Sequence, residues 1–312
     1  MTRSAERVAA IDVGFNTILL LIAELHPTSG LVIIHEEEDQ PRLGAGLSGT
    51  GRLSETAMTR ALATLVRMRD ACRSYGVHRI GAVATAAVRD AENGEEFVKR
   101  VRERQIPLQI VSAADEAALS YRSAVYHFPG GQRTMVADIG GGSLELVGTI
   151  RDRIKLTKSL PLGAVRLTEL DLPLDALRKH IRRAVNQALI RREWAGSPMI
   201  GSGGTFVTLA AMALVRRGAE SSRVHGAEIT AQEVEELLAA LNALSSQERR
   251  AFPGLRPERA DIIVAGSAVA AELLHRLNAK SLKVNGYGVR EGLLLEMTGI
   301  DKKSHPKGTE VP

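Results

Sequence analysis

Three things are scarce in this sequence. One cysteine, Cys72, occurs in 312 residues, which excludes a disulfide framework and a thiolate zinc site and fits a reducing, intracellular setting. Aromatic residues make up 3% and Trp194 is the sole tryptophan, too few for the stacking platforms that hold single-stranded nucleic acid. No nucleic acid polymer is therefore expected as a partner. Long apolar runs are missing as well: the longest, Val8 to Leu25, is broken by Asp12, Gly14 and Asn16 and cannot serve as a free membrane span. Glu6 precedes it and no small-residue cleavage site follows, so it does not read as a signal peptide. A soluble, cytoplasmic protein with no membrane partner is expected. Excess charge is modest too, since 41 Lys+Arg against 36 Asp+Glu leave +5, which permits an anionic ligand without requiring one.

What remains is the composition of a globular protein, 44% hydrophobic and 25% charged, with length for about two domains. Val8–Ile11, Ile18–Ile22 and Leu31–His35 read as a meander of strands. Ser54–Arg73 and Glu95–Arg104 have helical spacing, with strands at Ile80–Ala84 and Ile106–Val111. Ser112-Ala-Ala-Asp115 opens a helix reaching about Val125. His127-Phe-Pro-Gly-Gly-Gln132 then breaks the chain, placing one domain at 1–126, a second at 127–300, and a polar, disordered tail at 301–312. Helices are expected at Leu174–Arg192 and after the Thr230/Glu233 capping box. Asp261–Ala265 reads as a strand leading into another helix.

The opening theme recurs after the break. Strand, Asp12-Val-Gly-Phe-Asn-Thr17 and strand are matched by strand, Asp138-Ile-Gly-Gly-Gly-Ser143 and strand, 126 residues later. Glycines let successive N–H groups converge as an anion nest, and an aspartate at the preceding strand end can hold a divalent cation beside it. A single Asp-x-Gly turn could be an ordinary hairpin; two at corresponding positions imply two similar α/β halves. Gly201-Ser-Gly-Gly-Thr205 is a third glycine-rich turn, opening a helix whose N-terminus suits phosphate, or merely packing strand on helix. It is neither a Walker loop nor a Rossmann fingerprint. Glu116 stands in a helical first turn, where the dipole favours any carboxylate, Asp115 included. Glu145 points away from Leu144 and Leu146, towards a site or towards solvent. Arg89 suits phosphate, or a surface pair with Asp90 or Glu92.

Seven blocks in order carry a resemblance: Asp12–Thr17, Ala84–Ala91, Ser112–Ala117, Asp138–Leu146, Leu162–Glu169, Gly201–Thr205 and Asn285–Gly292. Together they resemble the exopolyphosphatase/guanosine pentaphosphate phosphohydrolase (Ppx/GppA) family, over about residues 8–298. The resemblance implies an α/β fold of two actin-like (ribonuclease H-like, ASKHA) domains with a cleft between them, the last helix packing back on the first domain. It implies release of orthophosphate from the terminal phosphoanhydride of polyphosphate, short chains favoured, or of guanosine pentaphosphate. Glu116 would activate water, with Arg89 assisting. Gly14, Asn16, Thr17, Gly140, Gly141, Gly142, Ser143, Gly203, Gly204 and Thr205 would bind phosphate. Asp138, Glu145 and Asp12 would hold Mg²⁺ or Mn²⁺, with room for stimulation by K⁺, and the protein would be a homodimer. Arg166, Arg256, Arg259 and Arg290 would line the polyanion path. Phe15 departs from the small hydroxyl residue usual at its position, and Asn285 from a serine. Two rival readings share the turns: a sensor that binds guanosine penta- or tetraphosphate without turnover, and an ATPase or kinase of the same fold.

Overall fold

The computed structural model describes residues 6–26 and 30–300; the expected tail at 301–312 lies outside the described residues. The chain forms two compact units, Met1–Ser112 with Val289–Pro312, and Ala113–Gly288. The division precedes the Ala113–His127 helix, where sequence had placed it after residue 126. That helix turns Ala117 and Ala124 onto Val136, Val147 and Ile200 of the second unit's sheet, and so is bound to that unit by apolar contact.

In the first unit, β1 (Glu6–Val13), β2 (Ile18–His26), β3 (Gly30–Asp39), β4 (Arg79–Ala84) and β5 (Leu108–Ile110) form one sheet in the order β3-β2-β1-β4-β5. The hairpins are antiparallel, whereas β1, β4 and β5 run parallel. The Glu55–Ser74 helix starts as its sequence predicts, the Ser54 side chain accepting from the Ala57 amide. It buries Cys72, whose thiol is pushed up to about 12 by desolvation and the nearby Glu37 charge; such a thiol is inert at neutral pH. The Gly288–Thr298 helix returns to this unit from Val289 onward, where Leu293 and Met297 pack so closely on Gly81 that a Cβ there would meet Met297 Sδ at 2.4 Å.

The second unit repeats the plan. β6 (Arg133–Ile139), β7 (Leu144–Ile150), β8 (Arg153–Leu160), β9 (Met199–Ser202), β10 (Glu228–Thr230) and β11 (Ser281–Val284) form a sheet in the order β10-β11-β9-β6-β7-β8. Its β8-β7-β6-β9-β11 stretch has the strand directions of β3-β2-β1-β4-β5, as duplication requires. Side-chain alternation gives the sheet two different faces. Met135, Ala137, Leu144, Leu146 and Met199 join the main core with Phe206, Leu209 and the Ile263–Leu277 helix. The opposite face, under the Ala113–His127 helix, is apolar only at Val136, Val147 and Ile200.

Two elements differ from expectation. Asp261–Ala265 is no strand: Ile263 begins a helix that runs to Leu277 and buries twelve of its fifteen residues. A run buried on all sides has no polar alternation to separate helix from strand. The helix expected over Leu174–Arg192 stops at Ala188, where Leu189 becomes extended and a short second turn, Arg191–Trp194, follows. The Thr230 capping box forms in full. Among the described residues no helix is long and apolar enough to cross a membrane.

Candidate active site

The polar end of the face under the Ala113–His127 helix is a row of four residues in strand register: Ser202 on β9 opposite Asp138 on β6, Asp138 opposite Glu145 on β7, and Glu145 opposite Ser159 on β8. Asp138 and Glu145 are buried, Glu145 at 2% exposure; the solvent-facing alternative for Glu145 does not hold. The Ala113–His127 helix lowers Glu116 and, one turn later, Ser120 onto this row. Glu116 is buried, whereas its neighbour Asp115 is exposed, which decides between two carboxylates that the helix dipole treats alike. Ser120 Oγ donates to Asp138 Oδ2 at 2.6 Å, and Ser159 Oγ donates to Glu145 Oε1 at 2.8 Å.

Like charges directly across a strand pair repel, and burial sharpens the cost. Desolvation holds the Glu145 carboxyl well above its ordinary range, with the charges of Glu116 and Asp138 adding to it; hydrogen bonds from Ser143 and Ser159 only partly offset this. Burial likewise raises Asp138, opposed by the Ser120 bond. Among the described residues no cation offsets these shifts at Asp138 or Glu145. Duplication alone would not produce this pair, because residue 19, the counterpart of Glu145 across from Asp12, is leucine.

The adjacent turn has its carbonyls bonded on one side. The carbonyls of Gly140 and Gly141 accept from the amides of Ala164, Val165 and Arg166, and Gly142's carbonyl accepts from Arg166 Nε. In a trans peptide the following N–H points the opposite way, so the amides of Gly141, Gly142 and Ser143 are turned away from that helix. Among the described residues, the Gly141 and Gly142 amides find no protein acceptor. Gly163 permits the approach, since a Cβ on it would lie 2.3 Å from the Gly141 carbonyl oxygen.

Comparison with known proteins places the sequence in a family. The profile of the Ppx/GppA phosphatase family fits residues 21–300. The chain belongs to that family. It is 30% identical to Exopolyphosphatase 2 of Mycobacterium tuberculosis, over 94% of this chain and 99% of the relative. A crystal structure of the Aquifex aeolicus Ppx/GppA family member aligns with TM-score 0.80 and 28% identity, over 97% of this chain and all of that one. An exopolyphosphatase structure from Cytophaga hutchinsonii aligns with TM-score 0.86 and 26% identity, over 95% of this chain and 99% of that one. The fold is the expected two-domain, actin-like arrangement.

Against that family background, the second unit brings together Glu116, Asp138, Glu145, Gly140–Ser143 and the third turn. Gly203 has φ +89°, and a Cβ there would lie 2.5 Å from Asp138 Oδ1 and 2.6 Å from the Ile139 carbonyl oxygen. Gly204 lies under the Arg259 guanidinium, 2.0 Å from where a Cβ would stand, so Arg259 sits over the start of the Gly204–Arg216 helix. Thr205 is buried against Gly266. Arg256 is exposed.

Asp12, Gly14, Asn16, Thr17 and Arg89 belong to the first unit. Gly14 closes its turn by donating to the Thr17 carbonyl at 3.0 Å. Asn16 is buried and its side-chain amide donates to Gln40 at 3.1 Å, within the unit. Phe15 buries its ring beneath Gly44, 2.4 Å from where a Cβ would be, and thus packs into the core. Arg89 donates to the Val111 carbonyl at 3.4 Å and lies 3.6 Å from Asp90. Arg290 is buried and pairs with Glu36 while donating to the Leu20 carbonyl, a structural cation of the first unit.

Sequence reading missed Ser120, Ser159 and Ser202, together with the role of Asn285, which donates to Ser123 at 2.9 Å and Ser202 at 3.2 Å. The signal for Ser120 was present, four residues after Glu116 on one helical face. Ser159 and Ser202 needed the strand register.

No group of three or more His, Cys, Asp or Glu side chains among the described residues is clustered to hold a metal unaided. Mg²⁺ ordinarily takes one or two carboxylates and completes its shell with water and substrate phosphates. Two buried carboxylates facing each other across a strand pair fit that pattern.

Gly203→Ala tests how tightly the turn is built. Left-handed strain and two sub-3 Å contacts should destabilise the second unit by about 2–4 kcal/mol in denaturant unfolding. Gly218→Ala, at φ +73° with open space around it, should cost only about 1–2 kcal/mol.

Proposed function

We propose that this protein is a phosphoanhydride hydrolase that removes the terminal orthophosphate of inorganic polyphosphate, short chains being preferred, and accepts guanosine pentaphosphate as a second substrate. The observation that carries the proposal is the buried Glu116 beside the Asp138–Glu145 pair and the outward amides of Gly141 and Gly142. The relatives named exopolyphosphatase support the substrate class.

Attack of water on a terminal phosphoryl group brings together electron-rich partners, so catalysis consists of positioning and charge neutralisation. The Gly141, Gly142 and Ser143 amides hydrogen-bond the non-bridging oxygens of the terminal phosphate. Arg259 adds charge-assisted donors at the neighbouring turn. Glu116 accepts a proton from the attacking water as its oxygen bonds to phosphorus; the bond to the bridging oxygen breaks, and the chain leaves one unit shorter. Asp138 and Glu145 would hold Mg²⁺ or Mn²⁺, which when bound supplies positive charge beside these two carboxylates. Ser120 and Ser159 fix the orientation of those two carboxylates.

The test is orthophosphate release by the purified protein from short polyphosphate, long polyphosphate, guanosine pentaphosphate and ATP, with and without Mg²⁺. Release from polyphosphate, fastest with short chains, supports the reading. Nucleotide binding with no release from any substrate would replace it with the sensor, and turnover of ATP alone with the ATPase.

A further inference from the structure

At the other end of β6 the second unit carries a separate pocket of about 510 Å³. Arg133 opens that strand and Asp138 lies five residues on, about 16 Å away at strand spacing. Cations from three elements line the pocket: Arg133 of β6, Lys155 of β8 and Arg192 of the Arg191–Trp194 turn. Its apolar lining is Ile150, Leu156 and Trp194. A single acidic residue, Glu193, lines it as well, leaving two positive charges in excess. Among the described residues none of the three cations is engaged in an ion pair or a side-chain hydrogen bond.

The backbone is shaped to make this pocket. Alternation along β8 would send Lys155 and Leu156 to opposite faces of the sheet, yet both line the cavity. The register supplies the reason: Gly148 faces Leu156 and Thr149 faces Ile154, so Lys155 is the extra residue of a β-bulge, the device by which a strand re-aims a side chain. Gly148 makes room for the indole, because a Cβ on it would lie 2.5 Å from the Trp194 ring. Trp194 itself is 3% exposed and belongs to the main core. Ile154, next in sequence to Lys155, and Ile190, two residues before Arg192, are both 50% exposed, so the surroundings are apolar for a surface.

Unpaired guanidinium and ammonium groups around an apolar wall select a ligand with two parts. Guanidinium forks suit phosphate oxygens, the apolar wall suits a flat ring system, and the volume falls within the range of small-molecule sites. We propose that this pocket binds an amphipathic anion of nucleoside-diphosphate size, its ring against Ile150 and Leu156 beside the edge of Trp194 and its phosphates on Arg133, Lys155 and Arg192. The pocket uses none of Glu116, Asp138 or Glu145, so the inference stands apart from the proposed hydrolysis.

Because Trp194 is the only tryptophan, its emission reports on the pocket directly. Full-length protein would be titrated with ADP, with adenosine as ring without charge and pyrophosphate as charge without ring. Emission and calorimetry would be followed together. The expected result is a saturable change with ADP, at least ~10-fold tighter than with either fragment, a factor that one good contact supplies. Lys155→Gln and Arg192→Gln, both exposed positions, should each weaken ADP by about 10-fold while orthophosphate release is unchanged; Asp138→Asn should leave the ADP titration as it was. Absence of saturable heat and emission change at millimolar ADP would overturn the proposal. So would unchanged ADP affinity in the two pocket variants, and pyrophosphate binding as tightly as ADP would reduce the pocket to a simple anion site.

Discussion

Glu116→Gln should lower orthophosphate release from polyphosphate by about 10²–10⁴-fold, the range associated with loss of a positioned general base. Glutamine keeps the size and the hydrogen-bonding reach of glutamate but cannot accept the proton of the attacking water. The fall should therefore appear in kcat, with KM little changed. Folding is expected to survive, since the substitution removes one of three mutually repelling buried carboxyl groups. The control is Asp115→Asn: Asp115 occupies the same first helical turn but is exposed, and its variant should retain activity within about 2-fold, as surface substitutions away from a site usually do. Equal losses in the two variants would mean that the helix N-terminus, and not the Glu116 carboxylate, is what matters.

Glu145→Gln should separate stability from activity. In metal-free protein Glu145 binds its proton more tightly folded than unfolded, because burial and the Glu116 and Asp138 charges raise its affinity for a proton above the ordinary 4.5. Stability from this group is thus fully present below the unfolded value and lost as pH rises through the folded one. Thermal denaturation in chelator should show wild-type Tm falling from pH 5 to 8, the variant flatter. At pH 8 the variant should be the more stable by about 1–3 kcal/mol, the scale of an uncompensated buried polar group. Adding Mg²⁺ should raise the wild-type Tm and do much less for the variant, while orthophosphate release by the variant is lost. A variant less stable than wild type in chelator at pH 8 would show that Glu145 is already compensated within the protein and would remove it from the cation site.

The halves of the molecule and their glycine turns were legible because their causes are local. Asp12–Thr17 and Asp138–Ser143 begin at the ends of buried strands, and Gly14 is demanded by its own turn, where a Cβ would lie 2.9 Å from the Thr17 carbonyl oxygen. The Thr230 cap acts within three residues and appears as read. Where burial is uniform the reading failed, as at Ile263–Leu277, since an apolar run on every side carries no period.

By itself the sequence determined the duplicated α/β plan, the family and the set of candidate groups, all of which depend on neighbours along the chain or on ordered motifs. Tertiary structure decided which candidates lie together. Strand register set Asp138 opposite Glu145 and between Ser202 and Ser159. Packing of the Ala113–His127 helix on Val136, Val147 and Ile200 buried Glu116 and left Asp115 exposed. The same packing of each unit withdrew Asn16 and Arg290 into internal hydrogen bonds. Proton affinity, charge and access are properties of what surrounds a side chain, and those surroundings come from residues far away in the sequence.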